Sequence, residues 1–259
     1  MKEHENNRKN QIIQDFIRLT QFVYPYKNEP EIAELVDFQL TKDPYGNYYY
    51  SIGDKPTVMF TSHFDTVGYL KEKVNHVFDG DTIRTDGKTI LGADDKAGVA
   101  LMLHMMRNNV NGLYYFFIGE EVGRIGSTAL SDKIGMNPHV QDILKVISFD
   151  RKGVDSIITH QMGKRCSSDV FAKSLAKELN TLESTFRYRL DDGGIFTDSF
   201  SFVDNIRECT NISVGYNFQH SHRECQSMIH LIKLGNALCK IDWEKLPVKR
   251  ELKKIIKLL

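Results

Sequence analysis

The chain has 259 residues, with Lys plus Arg and Asp plus Glu both at 34, so its net charge is zero. That balance argues against a nucleic-acid partner held by bulk electrostatics, and no run approaches the ~18 apolar residues of a membrane span. The hydrophobic share of 41% allows a sizeable core in one or two domains. Residues 1–10 are charged and polar and lack the apolar core of a signal peptide. Cys166, Cys209, Cys225 and Cys239 are scattered, without a C-x-x-C pair. Reduced thiols and a cytoplasmic location are the expectation.

Residues 11–23 carry Ile12, Ile13, Phe16, Ile17, Leu19 and Val23 at helical spacing, and Pro25 ends that helix. A short second helix is expected around Ile32, Leu35 and Val36. Asp43-Pro44-Tyr45-Gly46-Asn47 is a turn before a strand from Tyr48 to Ile52. Thr57 to Ser62 is β-prone and ends on His63. Residues 69–88 are charged, with Asp79-Gly80-Asp81 inside, and read as a surface excursion with a hairpin. A helix over 95–107 follows. Leu113 to Ile118 is nearly all apolar, as in a strand buried on both faces, and it runs into Gly119-Glu120-Glu121. A short helix starts at Gly126-Ser127, and Ile143 to Phe149 is a second buried strand ending on Asp150. Further expectations are a strand at Ile157–Thr159, a helix over Ser167–Leu179, an alternating strand over Glu183–Leu190, a strand at Ile212–Val214 and a helix over 223–240. The tail places Val248, Leu252, Ile255, Ile256 and Leu259 on one face and lysines elsewhere, suited to packing on its own domain. Alternating strands and helices predict one three-layer α/β/α domain over residues 1–259, with a mixed, largely parallel central sheet.

Ligands of such sheets bind beyond the carboxyl ends of the strands. Residues able to hold a metal gather there: His63 and Asp65, Asp94 and Asp95, Glu120 and Glu121, Asp150, and His220, with His222 as a rival. A single H-x-D or E-E pair is an ordinary surface or capping feature, and Asp94-Asp95 also suits a helix start. Their conjunction and order carry the argument. Histidine and carboxylate donors without cysteine suit zinc, with cobalt or manganese as alternatives. Five ligands with one shared carboxylate can hold two ions ~3.5–4 Å apart. Successive side chains of an extended Glu120-Glu121 point opposite ways, so one can ligate while the other stands over a water. Asp65, two residues after His63, can accept its second ring N–H and fix its tautomer. His4, His76, His104, His139, His160 and His230 read as surface or satisfied core residues.

Ser62-His63-Phe64-Asp65-Thr66-Val67, Gly92-Ala93-Asp94-Asp95-Lys96-Ala97-Gly98, Gly119-Glu120-Glu121-Val122-Gly123, Asp150, and His220-Ser221 with Glu224 stand in the order of the dinuclear zinc exopeptidases. The chain resembles that clan, which includes bacterial leucyl aminopeptidase, peptidase T and glutamate carboxypeptidase, from about residue 12 to 240. The resemblance implies that Asp94 bridges two metals, His63 and Asp150 complete one site, and Glu121 and His220 the other. It also implies Glu120 as general base, Asp65 as the residue orienting His63, and a cis peptide between Asp94 and Asp95. Gly193 to Asp198 loosely resembles a glycine-rich segment near the pocket, which makes Asp198 a candidate there.

Thirty-one positions separate His63 from Asp94 and seventy separate Asp150 from His220. These intervals are too short for the extra domains that other branches insert, since a domain needs ~50 residues beyond the core elements. A single catalytic domain without a lid domain is therefore expected, similar to the single-domain aminopeptidases, although Gly92 to Gly98 reads more like peptidase T. The resemblance implies a metal-dependent exopeptidase, an aminopeptidase foremost, acting on peptides. The alternatives are a carboxypeptidase, an amidohydrolase of small N-acyl amino acids with the same centre, and an inactive binding protein of the same fold. Side-chain preference and oligomeric state are open at this stage.

Overall fold

The structure is a computed structural model, and it describes residue 7 and residues 9–252. The elements in chain order are α1 (Gln11–Leu19), α2 (Glu29–Leu35), β1 (Thr41–Lys42), β2 (Tyr48–Ile52), β3 (Val58–His63), β4 (His76–Asp79) and β5 (Thr82–Thr85). Then come α3 (Ala93–Arg107), β6 (Gly112–Phe117), α4 (Ile125–Asp132), β7 (Lys145–Arg151), β8 (Ser156–Ile158), β9 (His160–Gln161) and β10 (Lys164–Arg165). The rest are α5 (Asp169–Leu182), β11 (Arg189–Asp191), α6 (Asp198–Ser201), β12 (Glu208–Ser213), β13 (Tyr216–Asn217), β14 (Cys225–Ser227) and α7 (Met228–Leu238).

The helix starts are written locally. Asn10 accepts the Ile12 N–H at 3.0 Å, Ser168 accepts that of Phe171 at 3.2 Å, and Ser227 accepts that of His230 at 3.2 Å. Each satisfies one of the donors that a helix leaves open at its start.

An eight-stranded sheet runs β1-β2-β6-β3-β7-β12-β8-β11. Its centre, β6-β3-β7-β12, is parallel throughout, while β1-β2, β2-β6 and β12-β8 are antiparallel. Alternate side chains of the central strands feed two apolar clusters. Phe60, Tyr114, Phe116, Ile147 and Phe149 face the layer built from α1, α3 and α7. Met59, Leu113, Tyr115, Phe117 and Val146 face Leu130 of α4, Val140, Phe202 and Ile206. A sheet buried on both faces explains why β6 reads as a nearly unbroken apolar run. This is the three-layer α/β/α architecture with a mixed, largely parallel sheet.

Helix α3 is buried on nearly all sides, because it lies against β3 and β7 while α1 and α7 cover it. Gly98 permits that approach. A Cβ there would lie 2.3 Å from Ser62 Oγ and 2.4 Å from the Phe149 carbonyl oxygen. A second sheet, β13-β14-β5-β4, is antiparallel. It joins the hairpin of 76–85 to the chain on both sides of His220, and so ties that residue to the segment leading into Asp94.

Three expected elements differ. Residues 183–188 are not a strand: α5 continues to Leu182, and Glu183 then accepts the N–H and hydroxyl of Thr185 in a tight turn. Phe186 and Tyr188 are buried there against His230, which accounts for their apolar alternation. The strand expected at 212–214 starts at Glu208, because Cys209, Thr210 and Asn211 pair in register with Val146, Ile147 and Ser148. The helix expected over 223–240 begins only at Met228, since residues 225–227 form β14. Among the described tail residues, Lys249 and Arg250 donate backbone N–H groups to the buried Glu208 carboxylate at 2.7 and 2.9 Å. Ile255, Ile256 and Leu259 lie outside the described residues.

Candidate active site

The parallel strands deliver their carboxyl ends side by side. His63 is the last residue of β3, Glu120 and Glu121 follow β6, and Asp150 lies near the end of β7. Asp94 opens α3 beside them, and the peptide from Asp94 to Asp95 is cis. His220 arrives from the loop between β13 and β14, with φ of 60°. Five of these six line one end of a cavity of about 350 Å³, and His63 is buried behind Asp94.

The two oxygens of Asp94 face different histidines. Oδ1 lies 3.2 Å from His63 Nε2, and Oδ2 lies 3.2 Å from His220 Nε2. Asp150 Oδ1 stands 3.9 Å from His63 Nε2, and Glu121 Oε1 stands 2.9 Å from His220 Nε2. Glu121 Oε1 is buried and accepts no aligned hydrogen bond despite that proximity. Asp94, Glu121 and His220 bring ligand atoms within 4.8 Å of one another, as do His63, Glu120 and Glu121. Asp94 and Glu121 pull the His220 imidazole up to about 10, so the spot between them favours positive charge. Imidazole nitrogens and carboxylate oxygens converging at this spacing have the chemistry of divalent-cation ligands.

Asp95 also comes within ligand range of His63 and Asp150. Its oxygens are engaged elsewhere, accepting the N–H groups of His63 and Gly98 at 3.3 Å each. Asp65 lies beside His63 as well, but the atom differs from the expectation. His63 Nδ1 is 3.0 Å from the Asp65 backbone carbonyl and 3.5 Å from its carboxylate. The Asp65 carboxylate instead accepts the N–H groups of Glu120 and Glu121 at 3.0 and 3.1 Å. Burial alone would raise its pKa; His63 and the Glu120 N–H outweigh burial and hold it below the ordinary value. His222 is turned away, its Nδ1 donating to the Gly87 carbonyl at 3.0 Å. Asp198 is buried behind the site with no aligned partner on either oxygen, and burial pushes it up to about 7.

Several contributors were not singled out by sequence reasoning. Lys96 is fully buried and donates to the Asp65 carbonyl at 3.1 Å, a fixed cation under the carboxylates. Thr197 and Tyr216 donate to the two oxygens of Asp150 at 2.5 and 3.0 Å. Asn211 brackets the Asp150 backbone, accepting its N–H and donating to its carbonyl. Buried Glu29 accepts the Gly119 N–H at 3.1 Å. The adjacency of Lys96 to Asp94-Asp95 was a usable signal; the others answer to distant backbone and leave none.

A mixed sheet with histidines and carboxylates clustered beyond its parallel strand ends is the architecture of the metallopeptidase class, in its dinuclear zinc-exopeptidase form. Residues 47–237 match peptidase family M28, and the chain belongs to that family. Over 144 residues it is 34% identical to the uncharacterized protein YqjE of Bacillus subtilis (strain 168), a stretch covering 46% of this chain and 38% of that relative. Among solved structures it is similar to the aminopeptidase PepT of Bacillus cereus ATCC 10987 (TM-score 0.70, 17% identity, 88% of this chain and 96% of that one). A tripeptidase of Staphylococcus aureus gives a TM-score of 0.66 at 16% identity, with 88% and 96% covered. The TET1 peptidase of Pyrococcus horikoshii gives 0.62 at 16%, with 88% and 98% covered. At such identities the likeness carries the fold. Among the described residues no helix is long and apolar enough to cross a membrane.

Proposed function

We propose that this chain is a metal-dependent aminopeptidase that removes N-terminal residues from peptides with two divalent cations, zinc by preference, in a single catalytic domain without a lid. The observation that carries this reading is the placement of Asp94, with one oxygen toward His63 and the other toward His220. In it, Asp94 is shared, His63 and Asp150 serve one cation, and Glu121 and His220 the other. The solved structures with this fold include proteins described as an aminopeptidase and a tripeptidase, which supports exopeptidase action on short peptides.

Bound there, the cations would lower the pKa of a water toward ~7 and polarise the scissile carbonyl. Glu120 lines the cavity and carries no structural hydrogen bond on its side chain among the described residues, so it is free to take a proton and return it to the leaving amine. Asp65 holds Glu120 and Glu121 through their N–H groups, which lets neighbouring carboxylates perform different tasks. Tyr216 and Thr197 aim Asp150, and Lys96 offsets part of the buried negative charge.

The test is hydrolysis of matched peptides with free and with acylated N-termini, with added zinc or cobalt and a chelator control. Cleavage confined to free N-termini is the expected result. Cleavage of the acylated set would move the protein to a carboxypeptidase or deacylase, and no cleavage at any metal loading would overturn the hydrolase reading.

A further inference from the structure

The acidic residues lining the cavity are Asp94, Glu120, Glu121 and Asp150, all members of the cluster described above. The other charged residues of its wall are cations: Arg124, Arg151 and Lys152. Arg151 is already matched, with Asp191 at 3.2 Å and the Gly193 carbonyl at 3.3 Å. Arg124 and Lys152 take part in no ion pair among the described residues, although Asp198 feels Arg124 at longer range.

Arg124 is held in place without being neutralised. Its N–H bonds the Glu120 carbonyl at 2.9 Å, so the turn that presents Glu120 and Glu121 also presents Arg124. Its guanidinium donates to Ser201 Oγ at 3.0 Å and lies over the rings of Phe196 and Phe200, 4.8 and 5.3 Å from their centroids. A guanidinium fixed on aromatic faces loses little freedom on pairing with a carboxylate. Two divalent cations would balance the four lining carboxylates, leaving Arg124 and Lys152 without counter-charge.

We propose that the cavity selects substrates bearing a free carboxylate close to the scissile bond, held by Arg124 and Lys152. The inference rests on the hydrolase reading for its orientation and adds the substrate class. Arg124 and Lys152 line the same cavity of about 350 Å³ as the four carboxylates, so with a peptide advancing about 3.3–3.6 Å per residue that carboxylate falls within a few residues of the cluster. The carboxylate is either the C-terminus of a very short peptide or an acidic side chain, and both present the same chemistry to the two cations.

Titration calorimetry on the zinc-loaded Glu120→Gln protein separates binding from turnover. The probes are tri-alanine, tri-alanine amide and alanyl-glutamyl-alanine amide. One of the two carboxylate peptides is expected to bind about 10-fold or more tighter than tri-alanine amide, as a charge-assisted pair implies. Preference for tri-alanine assigns the C-terminus, and preference for the glutamyl amide assigns the side chain. Lys152→Gln, at an exposed position, and Arg124→Gln should each reduce the preference, and Arg124→Lys should restore part of it. Equal binding of all three peptides, or a preference that survives in the double variant, overturns the proposal. Turnover by the wild-type protein is read separately: selective binding without turnover would count against the hydrolase and leave the carboxylate site standing.

Discussion

Glu224 holds the backbone of Asp94 from 130 positions away in the chain: its Oε1 accepts the Asp94 N–H at 3.0 Å. Its Oε2 accepts the N–H groups of Leu91 and Gly92 at 2.9 and 2.8 Å. Burial and the neighbouring Asp94 push Glu224 up to about 7, against three N–H groups that favour its charged form. A residue four positions after His220 thereby sets where Asp94 stands. Glu224→Gln places an amide donor against these N–H groups. It should weaken divalent-metal affinity about 10–100-fold, as loss of a supporting hydrogen bond does at metal sites. Competition with a chromophoric chelator checks this, and Glu224→Asp should behave similarly, because the shorter side chain cannot span all three donors.

Asp94 faces both histidines, while His220 faces only one side of the cluster. Asp94→Ala should abolish tight binding of both ions. His220→Ala should lose one and keep the other at the fully buried His63. Metal content by elemental analysis after gel filtration is the readout, with two ions per chain expected in the unaltered protein. Equal losses in both variants would contradict a shared carboxylate.

Glu120→Gln keeps the shape of the cavity and removes the proton acceptor. The turnover number should fall by about 10²–10⁴, the usual contribution of a general base, while metal content stays at two. Steady-state kinetics on a cleaved peptide gives the first quantity and elemental analysis the second.

Gly98 packs α3 against the ends of β3 and β7, and an added Cβ would also lie 2.6 Å from Asp95 Oδ1. Backbone and short side chains surround the position, so little can yield. Gly98→Ala should destabilise the fold by about 1–3 kcal/mol, the range of overpacked cores, and loosen His63 and Asp95 with it. Urea denaturation measures the first effect and metal affinity the second.

His230 is not among the residues that line the cavity. Its Nε2 is 3.0 Å from the Tyr188 hydroxyl, which donates onward to the Ser213 carbonyl at 2.6 Å, so His230 is the donor to Tyr188. Burial, reinforced by Lys233, lowers its pKa from 6.5 to about 4. The folded value lies below the unfolded one, so between pH 6.5 and 4 the unfolded chain binds the extra proton. Stability from this residue is whole above pH 6.5 and falls as the pH drops toward 4, by up to about 3 kcal/mol. His230→Gln keeps a donor and cannot titrate. The stability gap between wild type and variant should narrow from pH 7 to pH 4.5 in denaturant titrations, and a constant gap would refute the assignment.

The buried strands and the convergence of histidines and carboxylates were legible in the chain because the pieces of both are local. Leu113 to Ile118 is a nearly all-apolar run and Ile143 to Phe149 is broken only by Lys145 and Ser148, and each leads to carboxylates at its strand end. The order His63, Asp94, Glu120-Glu121, Asp150, His220 is a linear trace of strand ends that lie side by side. The short strands 216–217 and 225–227 left no trace, since two or three residues carry no period. Residues 183–188 misled because Phe186 and Tyr188 alternate with exposed neighbours in a turn packed on His230, as they would in a strand.

The sequence by itself determined the fold class, the donor types and their order, because apolar periodicity and ligand chemistry are properties of neighbouring residues. Only the tertiary structure decided what each carboxylate does. Asp94, Glu121 and Asp150 turn toward histidines, whereas Asp65, Asp95, Glu29 and Glu224 spend their oxygens on backbone N–H groups. The same holds for Arg124 and Lys152, which reach one cavity from loops after different strands. A side chain's partner is set by the chain brought next to it, and most of these partners lie tens of residues away.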